Sequence, residues 1–182
     1  YIFMTHSKKY KMADIILQHE VEQFYYMEAQ FLDNRDFSSW FDILDEEIRY
    51  FMPIRTNRIQ RESSMEYTKD NEFAHFDDTY EMIRGRIRKL QADVGWSENP
   101  ASRTRHLIAN IIIDFDEKSD RLDVSSCFIL YRNRLERQVD IFSGHRQDEL
   151  LRVDRKMPFK IRNRTIHLDQ STVLSNNLSI LF

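Results

Sequence analysis

The second half of the chain is a succession of β-rich stretches, at residues 104–116, 122–133, 137–153 and 158–169. The polar link Glu117-Lys118-Ser119-Asp120 reads as the first hairpin turn between them. Gly144 falls inside a strand pattern and predicts a bulge, because strands of this length in a sheet that curls need a bend.

The first half follows a helical period. Leu17, Val21, Phe24, Tyr25, Phe31 and Leu32 fall near one face at 3.6-residue spacing, which predicts an amphipathic helix over 14–33 with Asp14 as N-cap. After the turn Asn34-Arg35-Asp36, a short helix is expected to carry Phe37, Trp40, Phe41 and Leu44. Ile48, Tyr50, Met52 and Ile54 alternate with Arg49 and Arg55, a strand pattern ended by Pro53 and the polar stretch beyond it. Residues 56–72 read as an exposed loop. Asp77-Asp78 is expected to open a helix of about four turns, with Tyr80, Ile83, Ile87 and Leu90 on one face. Gly95 and Pro100 bracket a segment that must leave that helix. Helices first and antiparallel strands after indicate an α+β fold, with helices packed on one face of a curved sheet. The expected organisation is a loose arm over 1–13 and one domain over 14–182.

Several function classes are disfavoured. Lys+Arg 27 against Asp+Glu 30 gives a net charge of −3, which argues against a general nucleic-acid binder. No run of ~20 apolar residues exists to span a membrane. The start, Tyr1 to Lys11, lacks the apolar core of a signal peptide, and the lone Cys127 fits a reducing cytoplasm. One cysteine cannot supply a Rieske cluster or a Cys-based zinc site. No glycine-rich phosphate loop is present. Cys127 lies in the apolar run 125–130 and is expected to be a buried thiol.

Three residue groups carry polar chemistry. His75, Asp77 and Asp78 suit either a fragment of a metal or general-base site or a capped helix start, the plainer reading. His106 is a conceivable third ligand, although Arg103 and Arg105 beside it would repel a cation. Arg103, Arg105, Arg132, Arg134, Arg137, Arg146, Arg152, Arg162 and Arg164 punctuate the strands, and Asp114, Asp140, Asp148 and Asp169 can answer them. That pattern fits a solvated sheet face with weak pairs, or a polar subunit interface with bidentate Arg–carboxylate pairs. The apolar ending, Leu178 to Phe182, is expected to be docked, as a sheet strand or against a partner.

The segment 73–110, FAHFDDTYEMIRGRIRKLQADVGWSENPASRTRHLIAN, resembles the signature of the β subunits of aromatic-ring-hydroxylating dioxygenases. Further similarity lies at Tyr131 to Arg134, at Gly144 to Asp148, at Arg164 to Gln170 and at Asn176 to Phe182. Glu20 to Tyr26 and Tyr50 to Arg58 look most like the biphenyl, cumene and toluene branch. Ala101 and Leu151 depart from the family's usual Pro and Arg.

The resemblance implies a cone, a strongly curved antiparallel sheet wrapped around N-terminal helices, shared with ketosteroid isomerase and scytalone dehydratase. It implies a non-catalytic chain with no cofactor of its own. Such a chain joins α subunits, usually three of each, that hold a Rieske 2Fe-2S cluster and a mononuclear iron. The complex takes electrons from NADH through a ferredoxin and converts an arene with O₂ to a cis-dihydrodiol. The motif positions are His75, Asp77, Arg86, Trp96, Glu98, Pro100, Ser102, Arg103, Arg105, His106 and Asn110, with Arg132, Arg134, Arg146, Asp148 and Arg164 as further fold or interface candidates. The alternative is an independent cone-fold dehydratase or isomerase using His75, Asp77 or His106 as base. The cone interior discriminates the two: filled by large side chains and Arg–Asp pairs, or open with one convergent acid or base.

Overall fold

The computed structural model of the chain describes residues 14–54, 74–91, 102–115, 120–134, 138–153, 157–170 and 180–182. Helix α1 spans Ile15–Asp33 and is capped as expected, the Asp14 carboxylate accepting the Leu17 N–H at 2.7 Å. At its other end Arg35 takes a φ of 59°. The N–H groups of Asp36 and Arg35 donate back to the carbonyls of Phe31 (2.8 Å) and Leu32 (3.1 Å), a left-handed stop that turns the chain sharply. Helix α2 (Phe37–Asp42) follows, and strand β1 (Leu44–Pro53) begins at Leu44, so Leu44 belongs to the strand and not to the helix expected for it.

Strand β2 (Ala74–Thr79), helix α3 (Tyr80–Gln91) and strands β3 (Arg103–Phe115), β4 (Arg121–Arg134), β5 (Gln138–Arg152) and β6 (Phe159–Leu168) complete the described elements. The four β-rich stretches are the four long strands. The sheet runs β2-β1-β6-β5-β4-β3 and is not closed on itself. Its strand pairs are antiparallel except β1 with β6, which is parallel. Helix α1 reaches the edge strand β3, where Gln18 Nε2 donates to the Ile111 carbonyl at 3.2 Å. It also reaches β5 and β6 through Glu28. The curved sheet thus presents its edge strand β3 and its middle strands β5 and β6 to one helix.

Three local expectations are corrected. Asp77 and Asp78 do not start a helix. They sit on β2, opposite Phe51 and Tyr50 of β1, and the helix begins at Tyr80. Ladder bonds to β1 decide the backbone there, and the two side chains find arginines instead of helix N–H groups. Cys127 is exposed, not buried. Strand β4 alternates strictly, with Leu122, Val124, Ser126, Phe128, Leu130 and Arg132 inside, so period two places Cys127 outside despite its apolar neighbours. Gly144 is not a bulge, because β4–β5 register runs unbroken past it. Among β3 to β6 the irregularities fall between Ala109 and Ile112, where Asn110 has a φ of 54°, and between Glu149 and Leu150. Left-handed backbone suits asparagine better than most side chains, which gives that motif position a structural reason.

Gly144 has a different job. A Cβ there would overlap the backbone carbonyl oxygen of His167 on β6. Gly144→Ala is therefore expected to force the β5–β6 pair apart and cost about 1–3 kcal/mol, as overpacking does. Urea denaturation of the two chains checks it, and an unchanged midpoint would contradict the close approach.

Aromatic side chains fill the space between helices and sheet. Phe24 packs edge-on to Phe159 at 5.7 Å, Trp40 to Tyr50 at 6.4 Å, and Phe182 to Phe142 at 5.4 Å and Phe128 at 5.9 Å. Of the apolar ending, the described residues Ile180, Leu181 and Phe182 are buried in the chain's own core and form no strand, while Leu178 and Ser179 lie outside the described residues. The arm 1–13, the loop 56–72, Trp96, Glu98, Pro100, Arg137 and the turn residues 117–119 lie outside the described residues. No helix among the described residues is long and apolar enough to cross a membrane.

Candidate functional site: the ionic interior of the cone

The inner stripe of α1 reads Val21, Phe24, Tyr25, Glu28 and Leu32, all buried. A carboxylate in that company must be paired. Arg164 of β6 does this. Its Nη1 donates to Glu28 Oε1 at 2.5 Å and its Nη2 to Oε2 at 3.0 Å. The same guanidinium reaches its register partner on β5, Asp148, with Nε to Oδ1 at 2.9 Å and Nη2 to Oδ2 at 2.8 Å. Trp40 Nε1 donates to Glu28 at 3.1 Å and the Tyr25 hydroxyl to Asp148 at 2.8 Å. Arg146 Nη1 lies 3.4 Å from Glu28 Oε2. The chain ending joins the same network. The Phe182 backbone oxygen accepts from Arg164 at 3.1 Å and from the Tyr50 hydroxyl at 3.0 Å, and the Phe182 N–H donates to that hydroxyl at 2.8 Å.

Charge states follow from this geometry. Burial pushes the Glu28 carboxyl up, but the guanidiniums of Arg164 and Arg146 outweigh it and hold the group at about 2, against an ordinary 4.5. Burial and the Asp148 carboxylate lift the Tyr25 phenol well above its usual range, so it stays a neutral donor. Burial raises Tyr50 to about 12. Burial disfavours charged Arg164, yet the carboxylates of Asp148 and Glu28 keep its pKa well above normal.

Acid should therefore weaken the fold in a defined window. Glu28 binds a proton less readily folded than unfolded, so its contribution is complete above pH 4.5 and lost as pH falls toward 2. The difference is on the order of 3 kcal/mol for this buried group. Urea midpoints measured across that window should fall with pH, and the slope should flatten in Glu28→Gln. An equal slope in both chains would contradict it.

A second buried cluster seals the β3 edge. His106 Nδ1 lies 2.6 Å from Asp33 Oδ1 and Nε2 lies 3.1 Å from the Leu181 carbonyl oxygen. The exposed Arg105 reaches Asp33 at 3.5 Å. Nearby, Arg132 is buried, donating through Nε to Ser102 Oγ at 2.9 Å and lying 3.7 Å from Asp140. A water-sized hollow lies between Leu32, Phe37, Ser102, His106 and Leu181.

The sequence candidates thus divide. Arg146, Asp148 and Arg164 meet at the centre of the interior, and Arg132, Ser102 and His106 are buried beside β3. Asp77 makes a bidentate surface pair with Arg49 (2.9 and 3.1 Å), while the buried Asp78 takes Arg86 at 2.6 Å. Arg86 also covers the Phe76 ring at 3.9 Å. His75 is half-buried on β2, and burial lowers its pKa. Arg103 is exposed and Arg134 half-buried at one end of the β3–β4 pair. His75 and Asp77 lie on one edge strand and His106 on the other, with four strands between them. They do not converge on one catalytic site.

Sequence reasoning missed Glu28 and Asp33, and placed Tyr25 on the apolar face without its hydrogen bond to Asp148. Glu28 had a signal: it sits four residues after Phe24 and four before Leu32, a charge on the apolar face of an otherwise regular helix. No group of three metal-ligating side chains capable of holding an ion occurs among the described residues.

An unclosed, curled sheet around a helix, its interior occupied by ion pairs, defines a cone-type α+β chain built as a packed body. Its sequence matches the ring hydroxylating beta subunit family over residues 27–175, and the chain belongs to that family. It is 59% identical to the β subunit of biphenyl 2,3-dioxygenase from Rhodococcus jostii over 170 residues, covering 93% of this chain and 91% of the relative. It is 58% identical to a benzene 1,2-dioxygenase β subunit from Pseudomonas putida over 166 residues, 91% of this chain and 89% of that one. The fold is similar to a chain of naphthalene 1,2-dioxygenase (TM-score 0.83, 23% identity, 95% of this chain and 89% of that one). It is also similar to a Novosphingobium aromaticivorans structure with a scytalone dehydratase assignment (TM-score 0.61, 16% identity, 85% of each). Both the cone expected from the resemblance and the branch of the family are thereby borne out.

Proposed function

We propose that this chain is the non-catalytic β subunit of a terminal oxygenase that converts arenes to cis-dihydrodiols, in the cytoplasm and without nucleic-acid contact. Its α partner carries the Rieske 2Fe-2S cluster and the mononuclear iron, three copies of each chain form the particle, and a ferredoxin passes electrons from NADH to it. The observation that carries this reading is the filled interior: Glu28, Asp148, Arg146 and Arg164 occupy the place where a cone-fold dehydratase needs a substrate pocket.

The outer sheet face supports it. Leu107 pairs with Ile129 and Tyr131 with Ile141 across β3, β4 and β5, and all are exposed. With Val139 they form an apolar patch flanked by Arg103 and Arg105, an apolar centre with a charged rim as subunit interfaces have. Native mass spectrometry of the chain co-expressed with its α partner should give three α and three β, with iron in α. Ile141→Asp should leave the chain folded but lower the assembled fraction at least tenfold, as loss of an interface anchor does. A monomer beside its α partner, or an assembly indifferent to Ile141→Asp, would count against the subunit reading or the patch, respectively.

A further inference from the structure

Arg146 is engaged on one side only. It is 1% exposed on the inner face of β5, and Nη1 turns to Glu28. The opposite edge of the guanidinium, Nε with Nη2, has no hydrogen-bond partner among the described residues. That edge is the fork whose N–H groups run parallel and receive one acceptor together. Ser126, the direct register partner of Arg146 on β4, is equally enclosed at 2% exposure, and its hydroxyl is also without a partner among the described residues. The Tyr25 ring covers the group from α1, its centroid 5.1 Å from Arg146 Cζ. On the far side the β3 ladder opens. The register passes from Ala109–Cys127 to Ile112–Ser125, so Asn110 and Ile111 together face Ser126.

Several donors therefore gather in a dry interior, where unmade hydrogen bonds are costly and rare. The balance of charge selects what meets them. Arg146 and Arg164 face Glu28 and Asp148, two cations and two anions in one contact network, with Tyr25 a neutral donor. A buried anion would leave one charge uncompensated. A water accepts and donates, makes two to four hydrogen bonds and adds no charge.

We propose that Arg146 and Ser126 form an internal binding site for one water molecule. Its oxygen accepts from Nε and Nη2 of Arg146, and it shares a hydrogen bond with Ser126 Oγ. The water completes the ionic interior and fixes the Arg146 guanidinium between Glu28 and the β4 strand.

Crystals of the full chain, as purified, test this at a resolution where single waters are defined. A density peak is expected within about 3.2 Å of Arg146 Nε, Arg146 Nη2 and Ser126 Oγ, with no anomalous signal there after a bromide soak. Ser126→Ala should keep the peak on Arg146. Ser126→Val, whose methyl fills the space, should lose it and melt at a lower temperature than Ser126→Ala. If the Val variant does not fold, the parent and Ala structures still decide. A bromide peak at the site would make it an anion site and overturn the water. So would an Arg146 fork satisfied wholly by protein acceptors, with no peak beside it.

Discussion

Ending the chain at residue 179 is expected to abolish its stable fold. Ile180, Leu181 and Phe182 are each at most 6% exposed. Losing three such side chains removes roughly 5–8 kcal/mol of burial, comparable to the whole net stability of a domain, about 5–15 kcal/mol. The loss is also polar. Arg164 and Tyr50 lose the Phe182 oxygen, and His106 loses the Leu181 carbonyl. Soluble yield and thermal melting of the shortened chain check this. Phe182→Leu should cost far less, about 1–1.5 kcal/mol, because a hydrophobic swap of similar size keeps the burial and the backbone contacts. A shortened chain that melts like the parent would show that the tail decorates the core without holding it.

Glu28→Ala is the second large effect. The carboxylate answers Arg164 and Arg146 at once, and truncating it leaves buried positive charge with Asp148 as the remaining counter-ion. Breaking a buried pair by removing one partner costs about 3–5 kcal/mol. The double change Glu28→Leu with Arg146→Leu restores the balance, leaving Arg164 on Asp148. It is expected to recover a good part of the loss, a coupling that a double-mutant cycle reads directly. Equal instability of the single and double variants would mean that shape, and not charge, is what Glu28 supplies.

The long strands were legible as β-rich stretches, and α1 by a face that repeats from Leu17 to Leu32. What escaped were features set by a neighbour in space. Asp77 and Asp78 have the local chemistry of a helix cap, and only β1 pairing makes them strand residues. Cys127 sits in an apolar run, and only the phase of the strand exposes it. The arginines read as solvated or interfacial because arginine is seldom buried. The carboxylate that admits Arg164 to the interior, Glu28, is 136 residues away along the chain. Asp148 and Arg164 were named, but their meeting depends on the β5–β6 register, which spacing alone does not give.

The parallel β1–β6 pair sets a timetable for synthesis. Leu44 finds its partner only at Ile161, so the early strand emerges from the ribosome more than a hundred residues before the one that completes it. At elongation speeds of about 5–20 residues per second that gap is roughly 5–25 s. During it the Ile48–Met52 stretch, buried in the finished fold, lacks its β6 neighbour. Loop closure of this length also slows folding after release. An apolar stretch left waiting during translation is thus a property of the strand order itself.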